Sequence, residues 1–274
     1  MKYNTIIIIG APRSGTNMLR DILSQLDEVG TWPCDEINYI WRHGNIHEDS
    51  DEFHPNLATP NVQKYIQGQF NKLAKNGQLK WVVEKTCANS LRVPFIDRVI
   101  PKAKYIFIYR NGLDALASAN LRWSADLDIP YLLKKIRYVP PADLPFYGLR
   151  YFWNRIYRLI SRDKRLAFWG PQLSNMTELL ERYNLNQVCA LQWERCVVKS
   201  DEAFRQMDPE RVVRVSYEDL VSRPIEELER ICKHIGIPVD REKIKGKGKH
   251  SIVGENRLFD CRAEIINYGG LSFV

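Results

Sequence analysis

The chain has 274 residues, of which 45% are hydrophobic, and its 40 basic and 33 acidic residues give a net charge of +7. This length can bury a large core and is compatible with one α/β domain over residues 1–274. The basic excess favours an anionic ligand. Nucleic acid is the weaker interpretation, because the sequence has no recognised nucleic-acid-binding module or long basic stripe.

The apolar and cysteine patterns limit the class of protein further. No apolar run approaches the ~20 residues that a membrane-spanning helix needs. The N-terminal run, residues 6–9, is too short for a signal-peptide core, so we expect a cytoplasmic protein without a membrane segment. The six cysteines have no C-x-x-C pair or metal-ligand spacing, which predicts free buried thiols and no bound metal.

A strand, a tight loop and a helix are predicted near the N-terminus. Residues 6–9 are a β-branched run, typical of a strand buried on both faces of a parallel sheet. The first amides of the helix that follows have no internal partner, so the loop predicts a site for a phosphate-like anion. The alternative is a turn that only connects strand to helix. The apolar face of this helix consists of Met18, Leu19, Ile22, Leu23 and Leu26.

The loop differs from that of nucleoside triphosphatases in its chemistry. Gly10 and Gly15 keep the glycine spacing, but Thr16 occupies the lysine position and Asn17 occupies that of the magnesium-binding hydroxyl. The cation lies inside the loop, at Arg13. Triphosphate hydrolysis would lack both its lysine and its metal ligand, so the pattern favours another anion chemistry.

A second anion motif follows the strand predicted over residues 103–109. This strand ends in Arg110, where a metal-dependent phosphoryl-transfer enzyme would carry an acid. Ser118 and Arg122 lie on the next predicted helix, four residues and about 40° apart around its axis. These three side chains are predicted to converge on one phosphate. Alternatively, the two arginines are surface residues paired with Asp114.

The remaining elements are assigned from hydrophobic periodicity. A short strand is predicted over residues 80–83. Helices are predicted over residues 61–76, 113–123, 176–200 and 224–235.

The order of these motifs resembles that of the sulfotransferases that use 3′-phosphoadenosine 5′-phosphosulfate (PAPS). Residues 12–16 are similar to the loop that binds the 5′-phosphosulfate. Arg110 with Ser118 is similar to the 3′-phosphate site, which Arg122 extends as in tyrosylprotein sulfotransferases and their bacterial relatives. The segments 84–89, 101–104 and 215–220 also resemble blocks of this family. The implied fold is a P-loop nucleoside-triphosphatase-like α/β fold, with a central parallel sheet flanked by helices.

The resemblance implies transfer of a sulfuryl group from PAPS to the hydroxyl of a glycan, lipid or small molecule by in-line displacement. PAP is then the product, and no metal takes part. The segment 245–257 resembles the loop that folds over the 3′-phosphate and adenine, although it departs from the Arg-Lys-Gly pattern of the cytosolic branch. The donor-binding residues implied are Arg13, Ser14, Gly15, Thr16, Asn17, Arg110, Ser118, Arg122, Tyr217, Lys247, Lys249, Ser251, Asn256 and Arg257.

The catalytic groups also follow from this resemblance. Arg13 would neutralise the leaving phosphate, and Lys85 would orient the sulfuryl oxygens. Glu36 is our first choice for the general base, because tyrosylprotein enzymes carry a glutamate after the first helix. The interval from loop to acid is two residues longer here, which leaves Asp35 as an alternative. Histidine is the base in the cytosolic small-molecule branch, so three further alternatives are His43, His47 and His54.

Residues 124–175 are the part of the chain that the resemblance does not cover. They combine prolines with many aromatic and basic residues, and we interpret them as a helical insertion that binds the acceptor or forms a lid. The alternative is an amphipathic helix that covers the core. Two other functions stay open from the sequence: a P-loop kinase and a non-catalytic adenine-nucleotide-binding protein.

Overall fold

A computed structural model describes residues 3–123, 139–160 and 169–238 of the chain. Five parallel strands form one sheet in the order β2-β3-β1-β4-β5. Their bounds are β1 Asn4–Ile9, β2 Val29–Gly30, β3 Trp81–Lys85, β4 Lys104–Tyr109 and β5 Val212–Ser216. The predicted α/β class with a central parallel sheet is confirmed.

Helices connect the strands and cover both faces of the sheet. The first five are α1 Thr16–Leu23, α2 Asn38–Trp41, α3 Pro60–Gly77, α4 Val93–Val99 and α5 Gly112–Trp123. The next five are α6 Leu144–Ile160, α7 Met176–Arg182, α8 Leu185–Arg205, α9 Tyr217–Ser222 and α10 Pro224–Ile235. Short 3-10 turns lie at Pro55–Leu57, Cys87–Leu91, Pro141–Asp143 and Pro209–Arg211.

The isoleucine run of β1 explains its central position. Successive side chains of a strand point to opposite faces, so a run that is apolar at every position needs a core on each side. Ile7 and Ile9 pack with α2, α3 and α4, whereas Ile6 and Ile8 pack with α1, α9 and α10. All four isoleucines are fully buried. A third apolar cluster joins α5 to α7 and α8 at one end of the sheet.

The parallel register brings the ends of four strands to one edge. Ile8 pairs with Lys85, Ile9 with Phe107, and Tyr109 on β4 with Ser216 on β5. The segments that leave β1, β3, β4 and β5 therefore start side by side. This edge is where open α/β sheets bind their ligands.

One predicted helix is wrong in its extent. The apolar periodicity over residues 176–200 predicts one helix, but the chain forms α7 and then α8, with a break at Tyr183 and Asn184. Asn184 Oδ1 accepts a hydrogen bond from the Gln187 amide at 3.1 Å, and Gln187 Oε1 accepts one from the Asn184 amide at 3.1 Å. This reciprocal capping box starts a new helix.

Other predicted elements are confirmed. Helix 224–235 matches α10, helix 61–76 lies within α3, and strand 80–83 corresponds to β3 with a later end. Five cysteines are free and buried; Cys261 lies outside the described residues. Among the helices of the described ranges, none combines the length and the apolar character that crossing a bilayer requires.

Candidate active site

The loop between β1 and α1 is held in a bent conformation by two residues with positive φ. Arg13 has φ 68° and Gly15 has φ 83°, and Gly15 caps the N-terminus of α1. Gly10 passes close to β4: a Cβ there would lie 2.6 Å from the Ile108 carbonyl oxygen, so only glycine fits. The loop therefore presents the first amides of α1 at the sheet edge.

Within the described ranges, two buried polar groups near this loop have no hydrogen-bond partner. The Ser14 hydroxyl is fully buried, and among the described residues it has no hydrogen-bond partner. The same holds for Nε of Arg110, although its Nη1 donates to the Arg13 carbonyl at 3.1 Å. Buried polar atoms normally bind protein, water or a ligand. A phosphate-type anion suits both donors, and this arrangement fits the predicted anion site.

Arg13 connects the two predicted anion motifs. Its Nε donates to Ser118 Oγ on α5 at 2.7 Å, so the loop after β1 and the helix after β4 form one site. Arg122 follows Ser118 by one turn of α5; its side chain is outside the described part of the chain. The alternative pairing of Arg110 with Asp114 is not what the structure shows, because Arg110 contacts Arg13 and Tyr217 instead.

Tyr217 closes the loop from the β5 side. Its ring lies against Gly15, where an added Cβ would clash with it, and the Arg110 guanidinium carbon lies 4.5 Å from the ring centroid. Glu218 on the same turn accepts a hydrogen bond from the Asn111 amide at 2.9 Å. These contacts attach the start of α9 to the end of β4.

An acid and a lysine lie at the end of β3. Glu36 Oε1 accepts hydrogen bonds from Lys85 Nζ at 2.9 Å and from the Cys87 amide at 3.2 Å. The Lys85 side chain is only 3% exposed, whereas that of Glu36 is 30% exposed. Burial disfavours the charged ammonium, but neighbouring Cys87 and Glu36 outweigh this effect and raise the pKa of Lys85. The pair is therefore ionic, with its carboxylate accessible to solvent.

Cys87 joins the acid to the anion loop. Its sulfur lies 3.8 Å from Thr16 Oγ1 and 3.9 Å from Lys85 Nζ. Burial raises the pKa of the Cys87 thiol to about 12, which keeps the thiol protonated at neutral pH. Cys87 therefore packs between Thr16 and Lys85 and donates its backbone amide to Glu36; it is not a nucleophile.

The structure distinguishes the two neighbouring acids, of which the sequence favours Glu36 and leaves Asp35 as an alternative. The Asp35 carboxylate lies 3.7 Å from Arg20 Nη2 on α1. Glu36 instead contacts the end of β3 beside the loop. Glu36 is therefore the acid of this pair that faces the candidate site.

The three alternative histidines make contacts with other parts of the fold. His43 Nδ1 lies 2.8 Å from Asp143 Oδ2, and its ring packs 3.8 Å from that of Tyr65. The ring of His47 packs edge-on against Phe146. His54 caps the turn Pro55–Leu57. These contacts support structural roles.

The match to known proteins agrees with this geometry. A sequence model described as the sulfotransferase domain matches residues 4–266. The chain belongs to the sulfotransferase family. No significant match to a curated protein sequence was found.

Several solved sulfotransferase structures are similar to this one. The sulfotransferase domain from the curacin biosynthetic pathway has 16% identity and a TM-score of 0.53, and the match covers 92% of this chain and 81% of that chain. STF9 from Mycobacterium avium has 14% identity and a TM-score of 0.53, covering 100% and 78%. The sulfotransferase domain of the Synechococcus PCC 7002 olefin synthase has 15% identity and a TM-score of 0.50, covering 99% and 90%. These similarities confirm the predicted P-loop-like sulfotransferase fold.

The predicted site residues of this sulfotransferase thus fall into two groups. One group meets at the site: Arg13, Ser14, Gly15, Thr16, Glu36, Arg110, Ser118 and Tyr217. Asn17 is exposed in the first turn of α1. The tail residues Lys247, Lys249, Ser251, Asn256 and Arg257 lie outside the described residues. In the described ranges no group of three or more His, Cys, Asp or Glu side chains is arranged to hold a metal.

Sequence reasoning missed the polar residues behind the site. Glu84 is 1% exposed and accepts hydrogen bonds from Thr86 Oγ1 at 2.6 Å and Asn89 Nδ2 at 2.9 Å. Burial nevertheless raises the pKa of Glu84 to about 7. A glutamate inside an apolar strand such as β3 was the available signal, because a charge at such a position requires buried partners.

Glu84 should make the stability of the fold depend on pH. Its folded pKa of about 7 exceeds the ordinary value of 4.5, so the folded state binds a proton more tightly between these values. The free energy of unfolding should therefore fall as the pH rises from 4.5 to 7 and then level off. In Glu84→Gln the side chain cannot ionise. The decrease in the free energy of unfolding over this pH range should therefore be smaller by up to ~3 kcal/mol, measured by urea unfolding at several pH values.

Glu181→Gln is the matched control for this experiment, because Glu181 is an exposed glutamate on α7. It should leave the pH dependence as in the wild type. An unchanged slope in Glu84→Gln would show that other groups cause the pH dependence.

Proposed function

We propose that this sulfotransferase transfers a sulfuryl group from PAPS to a hydroxyl acceptor. The observation that supports this best is the meeting of an arginine-bearing anion loop and a Glu36–Lys85 pair at one sheet edge. The loop lacks the lysine and metal hydroxyl of a nucleoside triphosphatase. An acid beside an anion site supplies the proton acceptor that transfer to a hydroxyl requires.

The donor is proposed to bind through the loop and the helix after β4. Ser14, Gly15, Thr16 and Asn17 would hold its 5′ side with the first amides of α1. Arg110 and Ser118 would bind the 3′-phosphate, with Arg122 and Tyr217 as further contacts. For the segment outside the described residues, the same proposal assigns donor contacts to Lys247, Lys249, Ser251, Asn256 and Arg257.

Three side chains then have separate roles in sulfuryl transfer. Glu36 accepts the proton of the acceptor hydroxyl while the hydroxyl oxygen forms its bond to sulfur. The bond from sulfur to the bridging oxygen breaks, and Arg13 neutralises the charge that develops on the phosphate of PAP. Lys85 remains cationic and orients the sulfuryl oxygens. Arg13 acts electrostatically, because a guanidinium is too weak an acid to donate its proton.

The acceptor is proposed to bind on the side of residues 124–175. In the described part of this segment, Asp143 contacts His43 and Phe146 contacts His47, next to the helix that follows Glu36. Leu149, Phe152 and Trp153 on α6 are exposed. Such apolar and aromatic side chains suit a glycan, lipid or phenol acceptor. The reaction is proposed to be cytoplasmic.

Incubation with 35S-labelled PAPS, EDTA and pooled glycan, lipid and phenol acceptors tests the proposed function. We expect labelled product with EDTA present, because the proposed mechanism uses arginine, lysine and helix amides in place of a metal. Calorimetry should show binding of PAP without metal. Tight binding of ATP–Mg with no binding of PAP would instead indicate a kinase, and PAP binding without turnover of any acceptor would indicate a binding protein.

Glu36→Gln should reduce the single-turnover rate by about 100-fold or more, because it retains shape and removes basicity. The affinity for PAP should stay within a factor of about two, since the mutation leaves the loop unchanged. Asp35→Asn is the matched control and should retain near-normal rates, because Asp35 faces Arg20. Near-normal rates in Glu36→Gln would assign the base to another residue.

Arg110→Ala should weaken the binding of PAP about 10-fold or more relative to the binding of adenosine 5′-phosphosulfate, which has no 3′-phosphate. A 10-fold change in affinity corresponds to ~1.4 kcal/mol of binding free energy. Isothermal calorimetry with both ligands measures the difference. Arg223→Ala, an exposed arginine paired with Asp219, is the control and should change neither affinity. Equal losses for the two ligands would place Arg110 outside the 3′-phosphate site.

A further inference from the structure

The segment that follows Glu36 is attached to buried polar side chains. Immediately after Glu36, the Ile37 amide donates to Thr86 Oγ1 at 3.1 Å, and Thr86 Oγ1 donates to Glu84 Oε1 at 2.6 Å. Thr86 and Glu84 are almost completely buried. The hydroxyl of Thr86 is thus used as acceptor and donor at once, which fixes its orientation.

The next residue of the segment is held by ionic groups. Asn38 Nδ2 donates to Asp51 Oδ1 at 3.2 Å, and its Oδ1 accepts a hydrogen bond from Arg92. Arg42 Nη1 also donates to Asp51 Oδ1, at 2.8 Å. Burial alone would raise the pKa of Asp51, but the guanidinium groups of Arg92 and Arg42 outweigh it and lower the pKa. Asp51 is therefore a permanent anion at neutral pH.

Asn89 joins these two attachments into one network. It donates to Glu84 Oε2 at 2.9 Å, and its Oδ1 accepts hydrogen bonds from Arg92 Nε at 3.0 Å and Nη2 at 2.8 Å. The side chains of Thr86, Asn89 and Arg92 are inaccessible to solvent. A buried network with these bonds satisfied is rigid, because breaking one bond leaves a polar group unpaired.

The alternation of side chains at the end of β3 explains why this network sits behind the site. Lys85 faces Glu36 with its ammonium group, while its neighbours Glu84 and Thr86 point to the opposite side. Two consecutive residues therefore hold one acid from two directions: Lys85 binds the carboxylate, and Thr86 binds the peptide that follows it.

We propose that Thr86, supported by Glu84, is a positioning residue that holds Glu36 where it accepts the proton of the acceptor. This inference rests on the proposed function. Thr86 does not itself touch the reacting atoms; it acts through the Ile37 peptide. A small displacement of a catalytic group is costly for rate, since proton transfer needs hydrogen-bond distance to the acceptor. The donor is held by another loop, so its affinity should not depend on Thr86.

Thr86→Val tests this role, because valine has nearly the shape of threonine and lacks the hydroxyl. We expect kcat to fall about 10- to 100-fold, with the KM for PAPS changed by less than about threefold. Thr86→Ser keeps the hydroxyl and should restore most of the rate. Thr86→Ala is the second variant in case valine prevents folding, and PAP calorimetry shows that each protein is folded.

Combining the change with Glu36→Gln separates positioning from a general effect on the fold. If Thr86 acts through Glu36, Thr86→Val should lower the rate in the wild-type background and have little effect in the Glu36→Gln background. A fall of equal size in both backgrounds would overturn the proposal. Full activity of the folded Thr86→Val and Thr86→Ala proteins would also overturn it.

Hydrogen exchange of the Ile37 amide provides a readout besides activity. The amide should exchange at least about 10-fold faster in Thr86→Val than in the wild type, and Thr86→Ser should retain protection. Unchanged exchange in Thr86→Val would overturn the proposal. If the wild-type protein transfers no sulfuryl group, the proposed function is contradicted. If the wild type is active and the Thr86 variants are fully active as well, only the positioning role is contradicted.

Discussion

The parallel register of the sheet is the constraint on which the rest of the site depends. β1 pairs with β3 on one side and β4 on the other, and β4 pairs with β5. The segments that follow these four strands start at one edge because parallel strands run in the same direction. The anion loop, the Glu36 partner Lys85, Arg110 and Tyr217 each lie within that edge. A slip of one residue would send every side chain of the shifted strand to the opposite face.

The isoleucines of β1 hold the strand between two cores. Ile7 and Ile9 contribute to one core and Ile6 and Ile8 to the other, so removing the strand from the sheet would expose apolar surface on both faces. Full burial of each side chain contributes roughly 1.5–3 kcal/mol. The loop after β1 can therefore hold two residues in the left-handed conformation, since the strand before it is strongly held.

Beneath the edge, the protein keeps several polar side chains where apolar residues would pack. Glu84, Thr86, Asn89, Arg92 and Asp51 are all buried. Replacing such a network with apolar side chains is often neutral or stabilising in other proteins, so stability alone does not explain it. Its hydrogen bonds have defined directions, which apolar packing lacks. Hydrogen bonds of defined direction hold the acid at the end of β3 in one place beside the loop.

Local patterns in the sequence determined the fold class and the elements that carry the candidate anion site. The β-branched strands, the glycine spacing around Arg13 and the arginine after β4 are contiguous features, and each was predicted close to its position in the structure. The break before α8 was missed because apolar periodicity continues across it, and a capping box of Asn184 and Gln187 decides where the helix starts.

Only the tertiary structure decided which side chains meet. Glu36 and Lys85 are 49 residues apart, as are Ile37 and Thr86, and Arg13 and Ser118 are 105 apart. No local pattern encodes such pairs, because they result from the order of strands in the sheet. For the same reason the sequence favours Glu36 but leaves Asp35 as an alternative, whereas the fold separates them: Asp35 faces α1, and Glu36 faces the end of β3.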